Sequence, residues 1–136
     1  MWSSRLFTAP SRRCLRSFSS AVDAATSVTG PIWGHGIKNL TVVDAHCGGE
    51  PARIVVSGVP AVPGDSVTDQ REHFMTHMDD YRKLLLTEPR GYPCQNANVI
   101  VSASAAHPEA SYGFIILEQN KIYPAMSGHN CICVAT

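Results

Sequence analysis

One long amphipathic stretch lies between short β-branched runs, and this feature constrains the fold more than any other. Residues 65–87 follow a helical period, with Asp65 or Ser66 as the N-cap and Pro89 after the end. The apolar positions share one stripe, made of Val67, Phe74, Met78, Tyr81 and Leu85. The positions expected to face water are Asp69, Glu72, Thr76, Asp79 and Lys83. The stretch therefore predicts a single helix with one apolar face.

Five short runs have the β-branched and aromatic composition of strands. They cover residues 40–44 and 53–57 before the helix, and 98–102, 112–118 and 121–123 after it. A second helix is expected to start near Gly128, where small residues open onto an apolar run. The order strand, strand, helix, strand, strand, strand, helix predicts a mixed α/β (α+β) domain.

Composition and charge exclude several classes of protein. Of the 136 residues 44% are apolar and 16% charged, which is enough apolar material for a core and too little charge for a disordered chain. No run of eighteen apolar residues is present, so we expect no membrane span. From Asp23 onward seven Lys or Arg stand against eleven Asp or Glu, so nucleic acid is a poor candidate partner. Five cysteines without a CxxC pair indicate reduced thiols inside a cell.

The first part of the chain differs in composition from the rest. Residues 1–22 contain four Arg and many Ser, no acid, and scattered large apolar residues, as in a mitochondrial transit peptide. A disordered tail on a cytoplasmic protein is the alternative. Residues 23–37 mix Gly, Pro, Ser and Thr and are predicted to be a flexible linker. The globular body is then residues 38–136.

The strongest candidate site is Ser127-Gly128-His129-Asn130, at the predicted start of the last helix. The first turn of a helix has unpaired N–H groups and the positive end of the macrodipole, which suit a carboxylate or phosphate. Gly128 would let a ligand approach the backbone, with the Ser127 hydroxyl and the His129 imidazole beside it. In the structural alternative, Ser127 is an ordinary N-cap whose hydroxyl bonds the N–H of Asn130.

Other polar clusters are interpreted as structural. In DAHCGGEP, residues 44–51, Gly48 and Gly49 would supply positive φ in a turn and Glu50 would bond loop amides. Arg90 could bind a carboxylate, or pair with Glu50 or Asp44. His73 and His77 have the i, i+4 spacing of metal ligands, but partly buried structural histidines are the better interpretation, and no metal is expected. Cys131 and Cys133 are interpreted as small buried apolar side chains.

Taken together, three motifs resemble the proline racemase family, which also includes hydroxyproline epimerases and trans-3-hydroxy-L-proline dehydratases. They are DAHCGGEP, GDSVTDQREHFMTHMDDYRKLLLTEPRG and YPAMSGHN, in this order within residues 38–136. The resemblance implies one half of a diaminopimelate-epimerase-like fold, with a curved, mostly antiparallel sheet around a central helix. It also implies an enzyme that needs no cofactor and acts on a free cyclic amino acid, with a homodimer possible for a full-length protein.

The resemblance further implies roles for the candidate site. Backbone amides at the start of the central helix hold the substrate carboxylate, and one residue there faces the α-carbon. That catalytic position matches Ser127, whereas Gly128, His129 and Asn130 match the substrate-binding positions. The family commonly has Cys at the catalytic position, and a hydroxyl is a much weaker base than a thiolate. This difference favours one-sided chemistry over symmetrical racemisation.

Dehydration of trans-3-hydroxy-L-proline is therefore the predicted reaction, with racemisation of proline or epimerisation of 4-hydroxyproline as the alternative. The sequence contains no second motif that would supply the partner catalytic residue. We therefore expect a truncated chain that lacks the C-terminal half and is inactive by itself. A non-catalytic half-domain that binds a carboxylate ligand or a partner chain is the alternative from another class.

Overall fold

The computed structural model describes residues 39–136. The predicted transit peptide, residues 1–22, and the predicted linker, residues 23–37, lie outside the described residues. In the described part no helix is both long enough and apolar enough to cross a membrane.

Four strands form a single mixed sheet. They are β1 (Thr41–Cys47), β2 (Glu50–Ser57), β3 (Asn96–Val101) and β4 (Gly113–Leu117), in the spatial order β1-β2-β3-β4. The β1/β2 and β3/β4 pairs are antiparallel, and the β2/β3 pair is parallel. The first four predicted strands are confirmed, and the sheet is mostly antiparallel as expected.

A two-glycine turn joins β1 to β2. Gly48 and Gly49 have φ of 62° and 95°, a region that side chains disfavour, and Cys47 pairs with Glu50 across the turn. The structural interpretation of this glycine pair is confirmed.

The fifth predicted strand, residues 121–123, is wrong. Gln119–Lys121 forms a 3-10 helix instead, and both Asn120 and Lys121 have positive φ, at 57° and 60°. The N–H of Glu118 donates to the carbonyl of Ile122 at 2.9 Å, which closes the chain into a tight loop. A left-handed backbone at two consecutive residues cannot continue a strand, whatever the β-propensity of Ile122 and Tyr123.

The predicted single helix of residues 65–87 is two helices. Helix α1 (Val67–His77) starts at Ser66, which forms a capping box with Asp69, and helix α2 (Asp79–Leu86) follows directly. The break lies at Met78, whose φ and ψ of −128° and 18° are not helical. It gives α2 its own start, with Asp79 in the first turn, where a carboxylate suits the helix dipole.

Helices α1 and α2 cover one face of the sheet and supply the parallel β2-to-β3 crossover. The buried core on this face contains Val55, Phe74, Leu85, Leu86, Ala97, Val99, Val101, Ile115, Leu117 and Tyr123. Phe74 and Leu85 of the predicted apolar stripe are buried, and Val67, Met78 and Tyr81 pack against them. The stripe is therefore confirmed, even though it spans two helices.

The prediction that Asp79 faces water is wrong. Its side chain is only 13% exposed and accepts two hydrogen bonds from Arg82, at 2.6 and 3.0 Å. The Tyr123 hydroxyl donates a third bond to the same carboxylate, at 2.7 Å. Because α2 begins a new helix after Met78, its first residue points toward the core rather than along the polar face of α1.

The other face of the sheet holds helix α3 (Gly128–Ala135), the predicted second helix. Cys133 of α3 is buried with Ala52 and Ile54 of β2, and Ala45 and Cys47 of β1 pack against this cluster. The sheet thus lies between two helical layers. The N-terminus of α3 lies beside the start of β3, where His129 contacts Asn96.

Candidate active site

The candidate site is built on the N-terminus of α3. Ser127 is the N-cap, with extended φ and ψ of −151° and 125°, as predicted. The N–H of Cys131 makes the first intrahelical bond, to the Ser127 carbonyl at 3.0 Å. The N–H groups of Gly128, His129 and Asn130 come before that bond, so the helix itself offers them no acceptor. Three amides and the positive end of the macrodipole therefore meet at one place.

The space in front of these amides is open. Gly128 is exposed, and a Cβ placed on it would meet no heavy atom within 4 Å. Its φ is outside the left-handed region, so nothing in the local backbone requires glycine. Glycine at position 128 therefore leaves open space in front of the amides, and it is not needed to relieve backbone strain.

The Ser127 hydroxyl does not cap the helix. Within residues 39–136 it makes no bond to a backbone N–H of the first turn, so the predicted structural alternative is wrong on this point. Its oxygen is instead 3.0 Å from the side-chain amide nitrogen of Asn130, which donates to it. The same oxygen lies 3.2 Å from Nδ1 of His129. The hydroxyl is held by side chains, and the backbone amides stay available for a ligand.

Two asparagines of β3 support these contacts from below. Asn98 donates from Nδ2 to Oδ1 of Asn130 at 2.7 Å, and both side chains are fully buried. Asn96 is two residues earlier, on the same face of the strand. Its Nδ2 lies 3.1 Å from Nε2 of His129. The carbonyl oxygen of the Asn98 side chain has no hydrogen-bond partner in the part of the chain that the structure describes.

Sequence reasoning missed both Asn96 and Asn98. The predicted strand began at Asn98, so it left out Asn96, and it treated Asn98 only as a strand residue. One signal was present. Asparagine is depleted in strands, yet two occur two residues apart in a segment that is otherwise apolar. Residues at i and i+2 of a strand point to the same face, so the pair predicts a polar spot on one side of the sheet.

Large apolar side chains stand next to this polar site. Met126, directly before Ser127, is 75% exposed, and Ile132 on α3 is 56% exposed. Apolar surface near an anion-binding turn suits a ligand that carries both a carboxylate and an apolar group.

Asp44, at the start of the DAHCGGEP stretch, forms an ion pair with the neighbouring strand β2. Arg53 donates to both Asp44 carboxylate oxygens, at 2.8 and 2.9 Å, and these bonds hold the Asp44 pKa below its usual value. Another Arg53 nitrogen donates to the backbone carbonyls of Leu85 and Arg90, at 3.0 and 2.6 Å. Asp44 therefore forms a two-bond ion pair with Arg53. Glu50 is exposed, and the predicted bonds from its side chain to loop amides do not occur within residues 39–136.

The paired histidines of α1 stack on each other. The ring centroids of His73 and His77 are 4.5 Å apart, and Nδ1 of His77 lies 3.3 Å from the His73 carbonyl. His73 is half-buried and His77 exposed, so the prediction of partial burial fits only the first. Among the described residues, no group of three or more His, Cys, Asp or Glu is arranged to hold a metal ion.

The cysteines of α3 differ in burial. Cys133 is buried in the cluster with Ala52 and Ile54, and burial raises the pKa of its thiol. It packs as a small apolar side chain, as interpreted. Cys131, one turn beyond Ser127, is half-buried.

Comparison with known proteins identifies similar sequences over the described body. The profile of a family described as proline racemase matches residues 42–136. The 4-hydroxyproline 2-epimerase 1 of Rhizobium rhizogenes is 38% identical over 101 residues, which are 73% of this chain and 28% of that protein. A trans-3-hydroxy-L-proline dehydratase of Bacillus thuringiensis is 37% identical over 99 residues, which are 73% of this chain and 29% of that protein.

A solved structure is similar in fold as well as in sequence. It is a hydroxyproline epimerase from Agrobacterium vitis with bound trans-4-hydroxy-L-proline, with a TM-score of 0.63 and 38% identity. The similarity covers 71% of this chain and 28% of that one, and it confirms the predicted fold class. The chain thus spans little more than a quarter of the length of these relatives. Since the family profile matches most of its residues, the chain belongs to the proline racemase family.

Proposed function

We propose that residues 127–130 form one side of the active site of a trans-3-hydroxy-L-proline dehydratase. One observation carries the proposal: the Ser127 hydroxyl is held by side chains, so the backbone amides at the start of α3 remain uncapped. An ordinary N-cap would use its oxygen on those amides. In this site the amides are left for a ligand, and the hydroxyl stands next to them.

The ligand group that fits these amides is a carboxylate. Three N–H donors and a partial charge of about +0.5 at a helix start favour an anion. The open space over Gly128 admits two carboxylate oxygens close to the backbone. A cyclic amino acid would place its carboxylate there and its ring against the exposed Met126. The epimerase from Agrobacterium vitis has an amino acid of this type bound.

Serine at the catalytic position supports dehydration over racemisation. Racemisation by two bases needs a group on each face of the α-carbon that can remove its proton. A serine hydroxyl is a poor base near neutral pH, whereas a cysteine becomes a thiolate far more readily. One-sided chemistry is what Ser127 allows, with a base from another part of the protein removing the α-proton.

The proposed reaction then balances as an elimination. The base takes the proton from the α-carbon, the bond between the β-carbon and its hydroxyl breaks, and the conjugate acid of the base returns the proton so that water leaves. The resulting enamine then moves its N–H proton to the β-carbon, which gives a Δ¹-pyrroline carboxylate. The carboxylate stays on the amides of α3 throughout, where the macrodipole stabilises negative charge that builds up next to it.

Epimerisation of 4-hydroxyproline is the second candidate, because one relative bears that name at 38% identity. The two reactions separate when a full-length protein that contains residues 38–136 is incubated in D₂O with trans-3-hydroxy-L-proline or trans-4-hydroxy-L-proline. Deuterium at the α-carbon with the hydroxyl retained indicates an epimerase, whereas a Δ¹-pyrroline product indicates a dehydratase.

Two variants sharpen this experiment. Ser127→Ala removes the hydroxyl and should abolish the dehydratase product while ligand binding persists. Ser127→Cys places a potential thiolate at the same point and should increase deuterium incorporation without loss of the hydroxyl. Saturable carboxylate binding with neither product in that full-length protein would favour the non-catalytic interpretation and contradict the proposed reaction.

We also propose that residues 1–22 direct the protein to mitochondria. Their Arg- and Ser-rich, acid-free composition supports this. Fusion of these residues to a fluorescent protein tests it, and a cytosolic signal would contradict it.

A further inference from the structure

We propose that Asn96 and Asn98 are positioning residues that make Ser127 a hydrogen-bond donor rather than a base. The inference rests on the proposed function only for the idea that Ser127 faces the substrate. The side-chain contacts that carry it are found within the described residues.

One branch of the network runs through the buried core. The amide nitrogen of the Asn98 side chain donates to Oδ1 of Asn130, at 2.7 Å. This leaves the Asn130 side chain with its nitrogen toward Ser127, and that nitrogen donates to Oγ at 3.0 Å. Because Asn98 and Asn130 are both fully buried, water cannot replace either bond. With the amides in these orientations, donation runs from β3 toward Ser127.

The second branch runs through His129. The Asn96 amide nitrogen can only donate, so Nε2 of His129, 3.1 Å away, must be the acceptor. In a neutral imidazole the other nitrogen then carries the proton. That nitrogen, Nδ1, lies 3.2 Å from Ser127 Oγ and donates to it. This tautomer prevents His129 from taking the proton of Ser127.

Each branch ends in a group that donates to Ser127 Oγ. A hydroxyl has two acceptor lone pairs and one O–H donor, so the two bonds from Asn130 and His129 fill its acceptor capacity. The hydroxyl makes no third bond within residues 39–136, which leaves its proton for a ligand. Ser127 is thus arranged to donate to the substrate and has no free lone pair with which to accept the α-proton.

The cost of this arrangement supports a functional role. Oδ1 of Asn98 is buried without a hydrogen-bond partner in the described part of the chain. An unsatisfied buried acceptor destabilises a fold, and an apolar residue would avoid the penalty. An asparagine at position 98 is explained when its Nδ2 group, the donor to Asn130, is needed at the site.

The tautomer of His129 tests the inference directly. Long-range ¹H–¹⁵N correlation spectra of the ¹⁵N-labelled chain report which ring nitrogen carries the proton. We expect protonated Nδ1 in the unmodified protein. Protonated Nε2 there would overturn the proposal, and this outcome depends on no variant folding correctly.

An aspartate at position 96 should reverse the network. In Asn96→Asp a carboxylate can only accept, so Nε2 of His129 becomes the donor and Nδ1 becomes an acceptor for the Ser127 proton. The tautomer should switch from mainly Nδ1–H to mainly Nε2–H. His107, which pairs with Glu109 at the surface, is the internal control and should keep its spectrum. An unchanged His129 spectrum in folded Asn96→Asp would refute the positioning role.

A ligand titration separates this inference from the proposed function. In the same samples, Asn96→Asp and Asn98→Ala should bind trans-3-hydroxy-L-proline about tenfold more weakly than the unmodified chain, the equivalent of one well-placed hydrogen bond. The expected tautomer with no ligand binding would contradict the proposed function and leave the hydrogen-bond assignment standing. Binding equal to that of the unmodified chain in both variants would contradict the positioning role.

Discussion

Replacing Tyr123 by Phe isolates one hydrogen bond that ties the site-bearing loop to the helical layer. Tyr123 lies four residues before Ser127, and its hydroxyl donates to Asp79 of α2 at 2.7 Å. The residue is 9% exposed and packs against Phe74, with ring centroids 6.3 Å apart. Phenylalanine keeps this packing and removes only the hydroxyl. The change therefore measures a single bond to an ionised carboxylate.

The expected loss in unfolding free energy is about 1.5 kcal/mol. Hydrogen bonds to charged groups contribute about 1.5 to 3 kcal/mol. The lower end applies here because Asp79 keeps both bonds from Arg82. For a body of this size, that loss lowers the thermal midpoint by roughly 8 °C.

The lowered pKa of Asp79 predicts how the effect of Tyr123→Phe on stability changes with pH. Arg82 first, and then the Tyr123 hydroxyl, lower the Asp79 pKa from 3.8 to about 2, against the opposing effect of burial. A folded-state pKa below the unfolded value stabilises the fold above about pH 4, and this contribution is lost as the pH falls toward 2. The full shift corresponds to about 2 kcal/mol at neutral pH. The Tyr123→Phe variant should therefore differ most from the unmodified chain near neutral pH and least near pH 2.

Urea unfolding of four proteins provides the assay: the unmodified chain, Tyr123→Phe, Asp79→Asn and the double variant. In the Asp79→Asn background the Tyr123→Phe change should cost only about 0.5 kcal/mol, since the acceptor is then neutral. An equal cost in both backgrounds would show that the hydroxyl stabilises the fold by another route, and would refute the reasoning.

Three further predictions concern glycines and the surface ion pair. Gly128→Ala should change the unfolding free energy by less than about 0.5 kcal/mol, because the added Cβ meets open space. The same change should weaken carboxylate binding roughly tenfold. Calorimetry of unfolding and of binding measures the two effects, and an unchanged binding affinity would contradict the site. Gly91→Ala should destabilise the fold by at least about 3 kcal/mol, because the added Cβ would overlap the Leu86 backbone. A thermal midpoint equal to that of the unmodified chain would disprove this. Asp44→Ala should cost no more than about 1 kcal/mol in chemical unfolding, because its carboxylate is 57% exposed; a loss above about 2 kcal/mol would contradict that estimate.

The sequence located the sheet well, because its strands are short, β-branched and bounded by turn residues. It failed where backbone geometry overrides composition. Ile122 and Tyr123 look like strand residues, but the positive φ at Asn120 and Lys121 turns the chain away. The break at Met78 was also hidden, since the apolar stripe continues through it without interruption.

The helix start that carries the candidate site could be predicted from local signals, because a small-residue turn before an apolar run is typical of one. The hydrogen bonds of the Ser127 hydroxyl could not be predicted from such signals. They depend on Asn98 meeting Asn130 and on Asn96 meeting His129, contacts between residues 32 and 33 positions apart. Such pairs are set by how α3 packs on β3, and no local pattern encodes that packing.

The central claim is that the free amides of α3 hold the carboxylate of a cyclic amino acid. The most direct test is a ¹H–¹⁵N titration of the labelled chain with trans-3-hydroxy-L-proline. Saturable shifts at the amides of Gly128, His129 and Asn130, absent when the carboxylate is replaced by a primary amide, are the predicted result. Shifts confined to other parts of the chain, or identical shifts with the amide analogue, would contradict the account.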